Sequence, residues 1–414
     1  MIHDFPLEIF ARIFSFTLGS SRCKISTIEE EEELDVLGPL ETLQLVCVRW
    51  RAAILSIPIL WSHVDIMAYA GSTSPNCLLS QYTLLRLERA ASTPLHLHFS
   101  FSPDAEGNSA IVASLQEYLP RVSAITFESD SFTPSICEAY EADLGLCKSS
   151  ARSFRGLVYL RFGDQYQFTL DNFLTVLSCN PNLRLLCLQY LHPGPNSTLT
   201  VSQSVCLPSL EVLHVCSCIA CALLLSRLKV GKRGLDLRVK IHNLDNVETM
   251  KDFIHRSSVK VLTLDVHYTV PLLECIESYF SVAAHLCAFF LKCSVKYLDP
   301  SISRALFLRQ DSHTNINPVP RFPLMRTFGF IPIDRGQGGK IVRWFDPIVV
   351  TYSLDLVVLG EDQSTENSLI TLDVREWAGR YGKLVAIQGF SDLAGDEIMW
   401  DSFMLRVLGM YADR

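Results

Sequence analysis

Between residues 157 and 291 the apolar positions fall into a recurring hexad whose first, fourth and sixth residues are hydrophobic. The copies are Leu157, Leu160, Phe162; Leu183, Leu186, Leu188; Leu210, Leu213, Val215; Val259, Leu262, Leu264; and Leu286, Phe289, Leu291. Before the Val259 copy, Leu237 and Val239 keep the last two positions while Gly234 takes the first. First positions follow one another at intervals of 26, 27, 24, 25 and 27 residues. Alternation along an extended chain puts the fourth and sixth residues on one face, so each hexad predicts a short strand. Between hexads the spacing becomes helical, in "LDNFLTVLSCNPNL", "ACALLLSRL", "NVETMKDFIHR" and "PLLECIESYFSVA", with Asp171 and Asn246 as candidate caps. A strand–helix unit repeated at this period cannot bury its apolar face alone and is expected to stack into a solenoid. Weaker copies begin at Val122, Met325, Leu354 and Leu384, and a gap of 39 residues separates Leu286 from Met325. Within it, residues 294–323 carry Pro300, Pro318, Pro320 and Pro323 and predict an irregular insertion.

The first 66 residues follow a different pattern. Phe5, Ile9, Phe10, Ile13 and Phe14 recur at helical spacing, with Pro6 where a first turn tolerates a missing N–H and Glu8 where the helix dipole favours a carboxylate. A second stripe, Leu40, Leu43, Val46, Cys47, Trp50 and Ile54, breaks at Pro58 before Leu60 and Trp61, predicting two short helices and a turn. Glu29 to Glu33 lie between the stripes and predict a solvated loop, because adjacent carboxylates repel. A unit of about 50 residues is marginal without a partner, so its surplus of apolar and aromatic surface points to docking.

The order Phe5-Pro6-Leu7-Glu8-Ile9-Phe10, Ile13-Phe14, Val46-Cys47-Val48-Arg49-Trp50-Arg51 and Pro58-Ile59-Leu60-Trp61 resembles the F-box. Phe5 stands where that family has leucine, and the joint between the first two helices is enlarged. The resemblance implies a three-helix module that binds the Skp-type adaptor of cullin-based ubiquitin ligases, with Pro6, Leu7, Glu8, Ile9, Ile13, Val46, Cys47, Trp50, Leu60 and Trp61 as adaptor contacts or their supports. The hexad region resembles the leucine-rich repeats that often follow an F-box, without the asparagine usual after the hexad in most copies. The expected fold class is therefore α/β. It comprises a three-helix F-box over 1–66 with an acidic insert at 19–38, a helical linker over 67–94, and an irregular leucine-rich-repeat-like solenoid over 95–414.

With positions four and six inward, positions three and five of each hexad point out along the sheet. Tyr159, Arg161, His214, Asp236, Arg238 and Phe290 occupy such positions and are expected to contact a protein substrate, since aromatic and arginine side chains anchor interfaces. The competing arrangement has the insertion or the C-terminal tail covering this face.

Composition removes several classes of partner. The net charge is −8, from 36 basic and 44 acidic side chains without a basic stripe, which argues against nucleic acid. No run of about 18 uncharged apolar residues predicts a membrane span. The 14 cysteines lie scattered among apolar runs, as free thiols in a reducing compartment do, so an intracellular site, cytoplasmic or nuclear, is expected. "HVCSCIAC" gathers His214, Cys216, Cys218 and Cys221, but one strand face, the start of a helical run and the lack of a second cluster favour core cysteines over zinc. "RGQGGKI" lacks the spacing and the Ser or Thr of a phosphate loop and predicts a turn. No catalytic signature, metal or cofactor is expected. The sequence thus predicts a non-enzymatic substrate receptor joined through its adaptor to a cullin, the alternative being an interaction scaffold outside any ligase.

Overall fold

The computed structural model describes residues 6–19, 39–68, 79, 81–101, 114–128, 156–162, 167–168, 170–188, 192–193, 204–231, 234–242, 244–266, 272–293, 308–309, 319–320, 322, 324–332, 348, 352, 354, 356–361 and 384–388. The glutamate run, "RGQGGKI" and most of 294–323 lie outside the described residues. The fold is mixed α/β with large parallel sheet regions, and the chain divides into two units.

The first unit opens with α1 (Leu7–Gly19), α2 (Pro39–Gln44), α3 (Val48–Ser56) and a 3₁₀ turn over Pro58–Trp61. Four parallel strands follow in the order β1 (His63–Ala68), β2 (Leu95–Phe101), β3 (Val122–Glu128) and β4 (Tyr159–Phe162). Helix α4 (Gln81–Arg89) connects β1 to β2. β5 (Gln167–Phe168) and β7 (His192–Pro193) form a small separate ladder, and α5 (Leu170–Ser178) follows β5. The ladder begins at His63, so residues assigned by spacing to the helical module and linker contribute its first strand. Val64, Leu97, Ile125 and Leu160 stand in register and are all buried.

The second unit takes in the last three residues of β6 (Leu185–Leu188) and continues with β9 (Val212–Cys216), β11 (Leu235–Ile241), β12 (Val259–Val266), β13 (Ala288–Cys293), β16 (Thr327–Pro332), β17 (Leu356–Glu361) and β18 (Leu384–Gln388). Neighbours from β9 to β18 pair in parallel. Between them lie α6 (Ile219–Arg227), α7 (Val247–Arg256) and α8 (Leu272–Phe280), at the predicted helical stretches. Two short ladders, β8 (Val205–Leu207) with β10 (Leu228–Val230) and β14 (Leu308–Arg309) with β15 (Val319–Pro320), lie outside this row of strands.

The hexad explains the register. Leu213, Leu237, Leu262, Phe289, Phe328 and Val357, each the fourth residue of its copy, pair across successive strands. Phe289 and Phe328 rings lie 5.5 Å apart along this row. The last copy departs: Leu384 pairs with Val357 and so takes a fourth position rather than the expected first. Gly234 holds the first position of its copy because φ is +94° and a Cβ would strike the Lys260 side chain. Both faces of the strands are buried along much of their length, which is why their sequences are near-continuous apolar runs.

The helices earn their places through one stripe each. In α7 the buried residues are Met250, Phe253 and Ile254, spaced three and four apart. Its last-turn Arg256 donates to the carbonyls of Leu225, in the last turn of α6, and Leu228, its C-cap, supplying partners and positive charge at the end of that helix. The expected cap roles change. Asn246 sits before α7 but donates to Ser217 O at 3.3 Å, and Asp171 lies within α5 instead of preceding it. In the first unit, buried Asn180 accepts from Gly156 N at 3.0 Å and Leu157 N at 2.9 Å while donating to Val176 O at 2.8 Å. One carboxamide thereby joins the end of α5 to the entry of β4.

Gly329 provides a test of the packing on the outward face. A Cβ there would lie 2.2 Å from Phe290 Cδ1, so the glycine is what lets the Phe290 ring lie against the neighbouring strand. Gly329→Ala is expected to destabilise the protein by about 1–3 kcal/mol through overpacking, read as a lower denaturant midpoint. An unchanged midpoint would show that the ring moves aside freely.

Candidate docking surface

The helical module at the start of the chain is organised around a few large side chains. Phe10 and Phe14 are buried, and Phe14 meets Trp50 edge-on at 5.1 Å, tying α1 to α3. Leu60 and Trp61 are also buried; Trp61 Nε1 donates to Ile54 O at 2.9 Å, and the Arg89 guanidinium from α4 lies 4.4 Å from its ring centroid. Cys47 is the N-cap of α3, its Sγ accepting from Trp50 N at 3.4 Å. Leu60 and Trp61 therefore act inside the module, Cys47 shapes its backbone, and half-buried Trp50 supports α1.

Around this core a second set faces outward. Leu7 is 50% exposed, Ile9 and Ile13 39% each, Leu45 71%, Val46 58% and Val48 86%, and Leu55 and Ile59 are exposed as well. Pro6 and Glu8 share that exposure. Single exposed apolar residues are ordinary on a protein surface, but this many large ones within one small helical module make it a candidate interaction site. The F-box resemblance pointed to Leu7, Ile9, Ile13 and Val46. It missed Leu45 and Val48, which flank the cap and are lifted outward by the turn that Cys47 closes.

Polar contacts attach the module to the first strands. Arg86 of α4 donates Nε to Tyr82 Oη at 2.9 Å and Nη1 to His63 O at 3.1 Å, lies 3.4 Å from Glu41 Oε1 of α2, and approaches Asp65 Oδ2 to 3.8 Å. Tyr82 in turn donates to Glu41 Oε1. Burial, together with the adjacent Glu41, pushes the Tyr82 phenol well above its ordinary range, so it remains a donor.

The outward positions of the sheet are less open than the sequence suggests. Asp236 is 1% exposed, Arg238 4%, Arg161 8% and Phe290 0%; Tyr159 and His214 are half-buried. Arg238 Nη2 donates to Asp236 Oδ2 at 3.0 Å, an ion pair shut into the second unit. His214 Nδ1 lies 3.4 Å from Cys187 Sγ on the next strand.

The cysteines of "HVCSCIAC" converge more closely than their spacing implies. Cys218 is the N-cap of α6, accepting from Cys221 N at 3.4 Å, and this turn brings Cys221 Sγ to 3.8 Å from Cys216 Sγ. Hydrogen bonding with Cys218 pushes the Cys216 thiol up to about 11, and hydrogen bonding with Cys216 holds the Cys221 thiol well above its ordinary range, so both hold their protons at neutral pH.

No helix among the described residues is long and apolar enough to cross a membrane. No family model matches the chain, and no curated protein matches it.

Proposed function

We propose that this chain is a substrate receptor of the Skp–cullin–F-box kind: its N-terminal helices dock a Skp-type adaptor, and its strand–helix units form a leucine-rich-repeat-like solenoid that holds a protein substrate. The observation that carries this reading is the exposed apolar set Leu7, Ile9, Ile13, Leu45, Val46 and Val48 around a core of Phe10, Phe14, Leu60 and Trp61. The matching register of the hexads supports the solenoid. In such a receptor the chain contributes position rather than chemistry, raising the effective concentration of substrate near an activated ubiquitin. Of the six residues expected to contact substrate, Tyr159 of the first unit and His214 of the second are half-buried and the other four are buried.

Co-expression with a Skp-type adaptor and a cullin tests the reading. Wild type is expected to retain both partners on affinity capture. Ile9→Glu with Val46→Glu, two exposed positions whose replacement leaves the core intact, is expected to weaken adaptor capture at least about tenfold, as charges in a desolvated apolar contact do. Wild-type capture of the adaptor without the cullin would favour a scaffold outside the ligase, and failure to capture the adaptor would remove the proposal.

A further inference from the structure

We infer that His63, Asp65 and His98 form a binding site for a divalent transition-metal cation of the zinc type. The three residues occupy adjacent outward positions of β1 and β2, where His63 pairs with His96 and Asp65 with His98. His63 Nε2 and His98 Nδ1 each lie 3.1 Å from Asp65 Oδ1, and the three ligand atoms fall within 4.8 Å of one another. A tetrahedral cation with bonds of about 2.0–2.1 Å holds its ligand atoms roughly 3.3 Å apart, so the two short edges need open only slightly to admit one. Two imidazoles and a carboxylate suit zinc, cobalt or iron rather than calcium or magnesium, which prefer all-oxygen shells.

Burial gives the site a closed side and an open one. The side chains of His98 and His63 are 0% and 6% exposed, whereas Asp65 is 39% exposed, leaving a direction for entry and for a fourth ligand from solvent. Desolvation alone would raise the Asp65 pKa, but hydrogen bonds from His63 and His98 outweigh it and hold the carboxyl well below its ordinary range. Arg86, paired with Glu41, lies 3.8 Å from Oδ2, so its charge falls on the carboxylate oxygen other than the one the two imidazoles approach.

Behind His63 lies the kind of outer partner that a ligating histidine uses. His63 Nδ1 faces His96 Nδ1 at 3.1 Å, and His96 Nε2 faces Thr126 Oγ1 at 3.0 Å. With Asp65 ionised and both imidazoles neutral, His63 donates from Nε2 to Asp65, His96 donates from Nδ1 to His63, and Thr126 donates to His96. Metal coordination at His63 Nε2 reverses this chain: His63 carries its proton on Nδ1 and donates to His96, which carries its proton on Nε2 and donates to Thr126 Oγ1. Each imidazole keeps one proton, and His96 becomes the outer acceptor that fixes the ring of His63. The same strand positions thus supply the ligands and a neighbour able to follow their change of tautomer.

The test uses the full chain stripped with chelator and titrated with Zn²⁺ by calorimetry and with Co²⁺ by absorption. Wild type is expected to bind one equivalent of Zn²⁺ and to give a visible Co²⁺ band without the near-ultraviolet sulfur-to-metal charge transfer that Cys216, Cys218 and Cys221 would produce. Asp65→Asn, which is isosteric and partly exposed, and His98→Ala are each expected to weaken Zn²⁺ by more than about 100-fold, and His96→Ala by about 10–100-fold, the range for loss of an outer partner. Circular dichroism of Asp65→Asn checks that the fold is kept. The proposal is overturned by absence of stoichiometric binding to wild type, by unchanged affinity in a folded Asp65→Asn, or by a charge-transfer band that Cys218→Ser abolishes.

Discussion

Replacing Arg238 with leucine is expected to destabilise the second unit by about 3–5 kcal/mol, because the Asp236 carboxylate would lose its cation while staying buried. Asp236 is 1% exposed and receives Arg238 Nη2 at 3.0 Å, so water cannot substitute for the guanidinium without opening the sheet. Asp236→Leu should cost a comparable amount, because the buried arginine would lose this carboxylate. The double replacement Asp236→Leu with Arg238→Leu is expected to recover most of the loss, since exchanging a buried ion pair for packed apolar groups is often neutral or stabilising. Urea unfolding of all three variants, completed as a double-mutant cycle, reads the coupling directly. A single-variant cost under about 1 kcal/mol would mean that the pair is solvated and contributes as a surface bridge does. The result also bears on substrate recognition, because a pair that holds the sheet together is a poor candidate for a contact made only on binding.

Trp61→Ala is expected to cost about 3–5 kcal/mol, the range for deleting a large buried aromatic. The indole is 1% exposed, hydrogen-bonds to Ile54 O at 2.9 Å and carries the Arg89 guanidinium on its face, so it links α3, the 3₁₀ turn and α4. Under the proposed function, its loss should also weaken adaptor capture by loosening the module. Val48→Glu, at a position 86% exposed, should weaken capture with little change in thermal stability. If Trp61→Ala kept its unfolding temperature while losing the adaptor, Trp61 would be a contact rather than a support. This contrast separates two roles that the sequence motif groups together.

The parts of the fold visible in the sequence are those governed by local periodicity. Leu213, Leu237, Leu262, Phe289 and Phe328 fall into one row by spacing alone, because a hexad repeated at a nearly fixed interval leaves parallel stacking as the way to bury its apolar face. The helices between them follow from spacings of three and four, as Met250, Phe253 and Ile254 show. The final copy fails because Leu384, Val385, Ala386 and Ile387 are all apolar, so alternation does not distinguish a first position from a fourth.

What a residue does on its face depends on tertiary packing. Trp61 and Leu60 look like docking residues in a short amphipathic segment, yet α4 returns from later in the chain to help cover them; Leu45 and Val48 are left outside by a turn whose cap is a thiol. His63, Asp65 and His98 carry no spacing signal, since 33 residues separate Asp65 from its partner in β2 and only the parallel register brings them together. Asp236 and Arg238 read as an open polar pair along one strand, and burial makes them an internal ion pair. The repeat, the strand–helix alternation and the apolar character of the first helices are written in the amino-acid order, because these depend on periods of two and of about 3.6 along one chain. Which side chains meet and which remain exposed is set by the folded chain alone, because those contacts join residues whose separation in sequence carries no period.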